Sequence, residues 1–81
     1  MRFAYTHRLS RSYGAAPVGV RNAFDKQLVF LASDLRHHSL RAKKYDESHN
    51  IWQARVNRSW RFYFRIAGDV YILLDIIAHP K

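Results

Sequence analysis

The final third of the chain alternates large apolar and polar residues with a period of two, which is the spacing of a β-strand with one buried face. The apolar members of the first two such segments are Trp52, Ala54, Val56, Trp60, Phe62, Phe64 and Ile66. A third strand is predicted over residues 70–78, after a Gly68-Asp69 dipeptide that is typical of a two-residue hairpin. Three successive strands with short connections predict an antiparallel meander.

The first half of the chain follows other patterns. Residues 3–7 alternate like a short strand, residues 8–13 have room for one or two helical turns, and residues 14–16 break before Pro17. A helix is then predicted over about residues 17–34. The evidence is an apolar stripe at helical spacing, formed by Val20, Phe24, Leu28, Leu31 and Leu35. Residues 35–50 are polar and are expected to form a connecting loop. The predicted fold is α+β, with an N-terminal strand, one short helix and one long helix packed on a small, mainly antiparallel, four-stranded sheet.

Composition narrows the class of protein. The 81 residues carry 14 Lys and Arg against 6 Asp and Glu, a formal net charge of +8, and 48% of them are hydrophobic. This is enough apolar surface for one small core, so we expect a single domain over residues 1–81. The lack of cysteine excludes disulfides and thiolate metal sites. No apolar run approaches a membrane span and no signal-peptide centre is present, so a cytoplasmic location is expected.

The positive charge is concentrated in one stretch. Residues 36–65 contain eight Lys or Arg and two acidic residues, and so carry six of the eight net charges. If the large apolar residues face the helix, the opposite face of the sheet collects Gln53, Arg55, Arg61, Tyr63, Arg65, Asp75 and His79. Nucleic-acid phosphate suits such a face, and Tyr63 and Tyr71 could stack on unpaired bases. Charge alone leaves open a face that is merely solvated or covered by an acidic protein.

Four segments of the sequence together resemble one protein family. They are DLRHHSLRAKK at residues 34–44, WQARV at residues 52–56, SWRFYFRI at residues 59–66 and VYILLDIIAH at residues 70–79. In order and spacing they are similar to the RelE/ParE superfamily of bacterial toxin–antitoxin toxins. The resemblance implies a short antiparallel sheet backed by N-terminal helices, which agrees with the element order derived from the periodicities.

The RelE-like branch that the chain resembles cuts messenger RNA, usually on the ribosome and without a metal. A ribose 2′-hydroxyl attacks the neighbouring phosphorus, which requires a base, an acid and cations for the phosphorane charge. The resemblance places Arg55, Arg61 and His79 at catalytic positions. Gln53 departs from the pattern, since the RelE type has a lysine there, and the tyrosine that often follows the histidine is missing. The residues expected to bind RNA are Lys43, Lys44, Gln53, Tyr63 and Arg65.

The resemblance also implies partners, and it leaves two other functions open. We expect messenger RNA, the ribosome and an acidic antitoxin as partners, and no cofactor. A ParE-like toxin would instead inhibit DNA gyrase by binding, without a nuclease site. A non-enzymatic RNA-binding module is favoured by the absence of a clear base at Gln53. Convergence of Arg55, Arg61 and His79 on one face favours the nuclease, because a pure inhibitor does not require it.

Overall fold

The computed structural model describes residues 1–79, which form two helices and five strands. In chain order these are β1 (Arg2–Tyr5), α1 (His7–Ala15), α2 (Val18–Ser33), β2 (Lys43–Asp46), β3 (Ile51–Arg55), β4 (Trp60–Ala67) and β5 (Val70–Ala78). The long helix and the three-stranded meander are confirmed. Gly68 has a φ of 59° in the turn between β4 and β5, as the Gly-Asp dipeptide predicts. Neither helix is long and apolar enough to cross a membrane.

Helix α1 is longer than the one or two turns expected, and its first turn is capped. Thr6 Oγ1 accepts a hydrogen bond from the Leu9 N–H at 3.0 Å, which satisfies one of the free donors at the helix start. The same hydroxyl donates to the Leu74 carbonyl at 3.0 Å. Thr6 therefore fixes both the start of α1 and its position beside β5.

The sheet is mixed and has the strand order β1-β5-β4-β3-β2. β1 runs parallel to β5 at one edge, whereas the other three pairs are antiparallel. The prediction of four strands is one strand short, because β2 forms at the opposite edge within the segment expected to be a loop. The sequence of β2 is KKYD, whose charged side chains suit an exposed edge but provide no apolar alternation.

A β-bulge changes which side chains of β5 are buried. β4 and β5 pair in register except between Tyr63 and Phe64, where β5 contains an extra residue, Leu74. Before the bulge Tyr71 faces the helices and is 5% exposed, and after it Ile76 does so and is 3% exposed. The prediction that Tyr71 lies on the polar face and stacks on bases is therefore wrong, because the alternation shifts by one position at the bulge.

The core lies between the helices and one face of the sheet. Phe24 of α2 meets Phe62 of β4 edge to face, with ring centroids 5.2 Å apart, and neither residue is more than 1% exposed. This contact confirms the predicted phase of β4. The sheet face turned away from α2 is named the open face, and it carries the alternating residues Arg61 and Tyr63.

Candidate nucleic-acid interface

A pocket of about 330 Å³ lies on the open face, where β2, β3 and β4 meet the loop before β2. Its lining residues are Arg41, Lys43, Gln53, Ala54, Arg55 and Arg61. Four of these six residues are positively charged and none is negatively charged. This site is named the cationic pocket.

Strand register brings the charged side chains of the pocket together. Arg55 of β3 pairs with Arg61 of β4, and Lys43 of β2 pairs with Gln53 of β3. Directly paired residues have Cβ atoms roughly 4.5–5.5 Å apart and share a face. Like charges in this position destabilise a sheet, so the Arg55–Arg61 pair is unfavourable for folding unless an anion lies between the two side chains.

The main chain of Arg55 is held on both sides. Its N–H donates to the Leu40 carbonyl at 2.8 Å, and its carbonyl accepts from Gln27 Nε2 at 2.7 Å. Gln27 is 6% exposed, and its Nε2 also donates to the Ser39 carbonyl at 3.0 Å. A buried amide needs such partners. Gln27 therefore ties the loop before β2 to the end of β3 and fixes where Arg55 leaves the sheet.

Arg61 is oriented by the turn between β3 and β4. Its Nη1 donates to the Asn57 carbonyl at 2.9 Å and to the Trp60 carbonyl at 3.0 Å. The side chain of Asn57 closes the same turn by accepting from the Ser59 and Trp60 N–H groups at 2.9 and 3.0 Å. With Nη1 anchored in this way, the remaining guanidinium donors of Arg61 are available to a ligand in the cationic pocket.

Arg41 is a pocket residue that sequence reasoning missed. Its φ is 46°, in the left-handed region that non-glycine residues seldom adopt. This conformation costs about 1–2 kcal/mol, yet it carries the exposed Arg41 side chain to the rim of the pocket. The only signal in the sequence was its place within the basic run of residues 36–44, because a positive φ at arginine has no sequence signature.

The charges of the pocket repel one another and lack acidic partners. The charge of Arg41, followed by partial burial and the charges of two more arginines, lowers the pKa of Arg55 below its ordinary value. No ion pair within residues 1–79 involves a residue of the cationic pocket. The ion pairs among residues 1–79 all lie elsewhere, and they are Arg2–Asp69, Arg8–Asp75, Lys44–Glu47 and His49–Asp46.

No family model matches this sequence, and no curated protein matches it significantly. Solved structures match along nearly the whole chain. A YoeB/ParE toxin from Agrobacterium tumefaciens superposes with a TM-score of 0.82 at 12% identity, over 99% of this chain and 100% of that one. RelE in the archaeal RelE–RelB complex from Pyrococcus horikoshii OT3 gives 0.80 at 12% identity, over 99% and 96%. The isolated RelE toxin of E. coli gives 0.78 at 13% identity, over 99% and 85%.

The chain has the RelE/ParE toxin fold. The α+β arrangement of two helices on one sheet, which the alternation and the resemblance predicted with four strands, is thus confirmed as a fold of this type with a fifth strand, β2. At identities of 12–13% the fold is shared while most side chains differ. The role of each pocket residue therefore rests on the geometry of this chain.

The RelE/ParE fold brings some of the predicted site residues together and separates others. Lys43, Gln53, Arg55 and Arg61 all line the cationic pocket. Lys44 points to the other side of the sheet, where its Nζ lies 5.2 Å from the centre of the Trp52 ring and 3.7 Å from a Glu47 carboxylate oxygen. The predicted pair of RNA-binding lysines is thus divided between the two faces.

Tyr63 and Arg65 lie on the open face outside the cationic pocket. Tyr63 Oη accepts a hydrogen bond from Gln53 Nε2 at 2.9 Å, and its ring meets Tyr45 at 5.0 Å in an edge-to-face contact. Arg65 lies farther along β4, where its Nε donates to the His49 carbonyl at 3.1 Å. Gln53 is therefore engaged with the tyrosine at the border of the pocket.

His79 follows the last strand and does not line the cationic pocket. Its N–H donates to the Ser59 carbonyl at 2.7 Å, which continues the β4–β5 pairing two residues beyond Arg61 and Ile77. Alternation puts His79 on the open face with Arg61, and one strand spacing plus two residues separates their Cα atoms by roughly 8 Å. Its exposed imidazole is thus a neighbour of the pocket across β4.

The chemistry of the cationic pocket is that of anion binding. Within residues 1–79 no group of three or more His, Cys, Asp or Glu side chains could hold a metal ion. Guanidinium groups form paired N–H bonds to phosphate oxygens, and three of them converge here beside one ammonium. A phosphodiester is the ligand that this donor set suits.

Proposed function

We propose that this chain is the toxin of a bacterial toxin–antitoxin system and that it cuts messenger RNA at the cationic pocket. The observation that supports this most is the convergence of Arg41, Arg55 and Arg61 without an acidic partner in residues 1–79. The three charges repel each other in the folded chain, whereas a phosphate group bound among them is attracted to all three. The RelE/ParE fold is consistent with this function.

The reaction that the pocket suits is a transesterification within RNA. The ribose 2′-oxygen loses its proton and forms a bond to phosphorus, and the bond from phosphorus to the 5′-oxygen of the next nucleotide breaks. The products are a 2′,3′-cyclic phosphate and a 5′-hydroxyl, whose oxygen takes up a proton. Arg55 and Arg61 donate N–H bonds to the non-bridging oxygens, which gain negative charge in the transition state.

Two side chains are candidates for the proton transfers. His79 stands on the open face beside Arg61, and imidazole both accepts and releases protons in the neutral range. Lys43 lines the pocket and pairs directly with Gln53, so its amine lies close to the position at which the resembled family has a lysine. If His79→Gln retains RNA binding and loses most cleavage, His79 is the proton-transfer group. If cleavage by His79→Gln is undiminished, Lys43 is assigned that role.

An acidic antitoxin is the proposed protein partner. RelE from Pyrococcus horikoshii OT3, which shares the fold, was solved in complex with RelB. Beside the cationic pocket the open face carries an apolar strip, in which Tyr45 is 60% and Ile77 46% exposed. A partner segment with acidic and apolar side chains would cover the pocket and the strip together. We place the toxin in the cytoplasm, where messenger RNA is translated by ribosomes.

A second candidate function is ParE-like inhibition of DNA gyrase, which requires no nuclease site. The observation that favours it is that the β3 residues of the pocket are Gln53, Ala54 and Arg55, none of which has a side chain that exchanges a proton near neutral pH. The cationic pocket would then bind gyrase or DNA through charge alone.

One experiment separates the two functions. The chain and its Arg55→Gln variant are induced in bacteria, the 5′ ends of cellular transcripts are mapped, and gyrase supercoiling is assayed in parallel. The nuclease proposal predicts new 5′ ends inside translated frames, which disappear with Arg55→Gln, and normal supercoiling. Growth arrest with intact transcripts and inhibited supercoiling would support the gyrase inhibitor instead.

A further inference from the structure

A second basic groove continues from the cationic pocket around the end of β3 to the side of α2. It has a volume of about 470 Å³, and its charged and aromatic lining residues are Lys26, Phe30, His38, Arg41, Arg55 and Arg58. Arg41 and Arg55 line both sites, so the groove begins where the pocket ends. This site is named the flanking groove.

Three aromatic rings form a stack at one wall of the flanking groove. Phe30 and His37 are stacked with centroids 4.0 Å apart and an interplanar angle of 5°, and His37 and His38 follow at 4.7 Å and 20°. His38 is the outermost ring and is exposed, whereas Phe30 and His37 are half-buried. The stack therefore ends in a ring whose outer face is free to receive another flat group.

The same buried amide that positions Arg55 also fixes this stack. Ser39 donates its hydroxyl proton to Gln27 Oε1 at 3.1 Å, and the Ser39 N–H donates to His37 Nδ1 at 3.2 Å. Gln27 Nε2 donates to the Arg55 carbonyl on its other side. The stack and the cationic pocket are thus held at a fixed distance from each other by one hydrogen-bonded network.

The charge of the flanking groove is suited to a polyanion. Lys26, Arg41 and Arg58 line it from the helix, the loop and the β3–β4 turn respectively, and no acidic side chain lines it. Lys26 Nζ lies 6.0 Å from the centre of the Phe30 ring, so a cation stands at the base of the aromatic stack. Cations that follow a groove, with an exposed aromatic ring at its wall, are the two features by which proteins bind single-stranded nucleic acid.

We propose that the flanking groove binds the single-stranded RNA next to the scissile phosphate, with one base stacked on His38 and its phosphates near Lys26 and Arg58. This inference rests on the proposed function and adds to it a second contact region for the substrate. Stacking is possible with every base, so the groove adds affinity and fixes the direction of the strand without reading its sequence. The chain would then bind RNA over several nucleotides and not at one phosphate only.

The test uses the full chain and a 12-nucleotide RNA that spans a mapped cleavage site, 2′-O-methylated so that it is not cut. Binding is measured by fluorescence anisotropy at several salt concentrations. His38→Ala is expected to weaken binding about five- to a hundredfold, and His38→Phe to retain it, because a phenyl ring also stacks. Lys26→Gln is expected to weaken binding and to reduce the salt slope by about 0.7.

Matched controls are available on α1, away from the flanking groove. His7→Ala removes an exposed histidine, and Arg11→Gln removes an exposed charge. A series of RNAs, each with a single abasic position, identifies the stacked base. At one position, loss of the base should weaken binding to the unmodified chain and should leave the affinity of His38→Ala unchanged.

The outcomes separate this inference from the proposed function. If His38→Ala and Lys26→Gln bind like the two controls while Arg55→Gln binds weakly, the flanking groove does not hold RNA and the cationic pocket remains the binding site. If the unmodified chain neither cuts nor binds RNA, the proposed function fails, and the flanking groove as an RNA site fails with it. An abasic position that weakens binding to the unmodified chain but not to His38→Ala establishes the flanking groove as an RNA-binding site.

Discussion

Replacing Arg55 with glutamine should lower activity without lowering stability, because the charge of Arg55 favours RNA cleavage and disfavours folding. Within residues 1–79 the Arg55 guanidinium makes no ion pair, and the charges that lower its pKa, those of Arg41, Arg61 and Arg58, are all positive. Its lowered pKa means that folding disfavours its charged form. Removing the charge therefore relieves repulsion in the folded state, and the melting temperature should stay the same or rise.

The same substitution should remove most of the cleavage activity. Loss of one donor that stabilises developing charge in a transition state commonly lowers the rate by about a hundred- to a thousandfold. RNA affinity should fall as well, with the slope of log Kd against log salt reduced by about 0.7, as expected for one lost phosphate contact on a single strand.

The assay compares three purified variants by RNA cleavage and thermal melting. Arg11→Gln removes an equal charge from the exposed surface of α1 and should change neither measurement. Arg55→Lys keeps the charge without the paired N–H donors, so its activity should lie between that of Arg55→Gln and that of Arg11→Gln. Full cleavage by Arg55→Gln would refute the assignment of the pocket, and a large fall in its melting temperature would show that Arg55 stabilises the fold.

Three further predictions follow from other parts of the structure. Phe62→Ala deletes a fully buried ring that contacts Phe24, so it should cost about 3–5 kcal/mol of unfolding free energy in a denaturant titration. Gln27→Leu should cost about 1–3 kcal/mol by the same measurement, because it leaves buried carbonyls without a donor. Hydrogen bonds from Ser48 and His49 lower the pKa of Asp46 from 3.8 to about 2, so Ser48→Ala should raise it in an NMR titration.

Each of these predictions has a contradicting result. An unchanged unfolding free energy for Phe62→Ala would mean that β4 presents its other face to α2. An unchanged unfolding free energy for Gln27→Leu would mean that the hydrogen bonds of the Gln27 amide contribute nothing to stability. For Asp46 the lowered pKa predicts a contribution to stability that is present above pH 3.8 and is lost as the pH falls towards 2. A carboxyl that titrates at its ordinary value, with or without Ser48, would contradict the turn geometry.

The elements that the sequence predicted well are those with a long, regular apolar pattern. The stripe through Phe24 and Leu28 predicted α2 to within a residue at each end, and the alternation around Phe62 predicted both the extent and the buried face of β4. These patterns succeed because burial of one face is what stabilises each element. The likeness to RelE/ParE toxins added a topology that the patterns alone did not determine.

The features that the sequence did not predict have physical reasons. β2 is an edge strand with a charged sequence, so no apolar alternation marks it. The bulge at Leu74 inserts one residue at the end of a stretch, residues 70–74, in which every side chain is large and mainly apolar, so no polar residue marks the face that the first half of β5 buries. As a result Tyr71 was assigned to the wrong face.

The candidate site was predictable in part. Arg55 and Arg61 were found because they alternate with core residues on paired strands, and the structure brings them together. Arg41 was missed because its place depends on a positive φ in a loop. Gln27 was missed although a signal existed: it lies three residues after Phe24 and four before Leu31, so it is a polar residue on an apolar stripe and must have buried partners.

The central claim is that the cationic pocket carries out metal-independent attack by a ribose 2′-hydroxyl. The most direct measurement is mass spectrometry of the products that the purified chain makes from messenger RNA in the presence of a chelator, with and without translating ribosomes. The account predicts fragments that end in a 2′,3′-cyclic phosphate and begin with a 5′-hydroxyl, and no cut where the scissile ribose is 2′-deoxy. Intact RNA in both reactions, or cleavage that persists at a 2′-deoxy position, would contradict it.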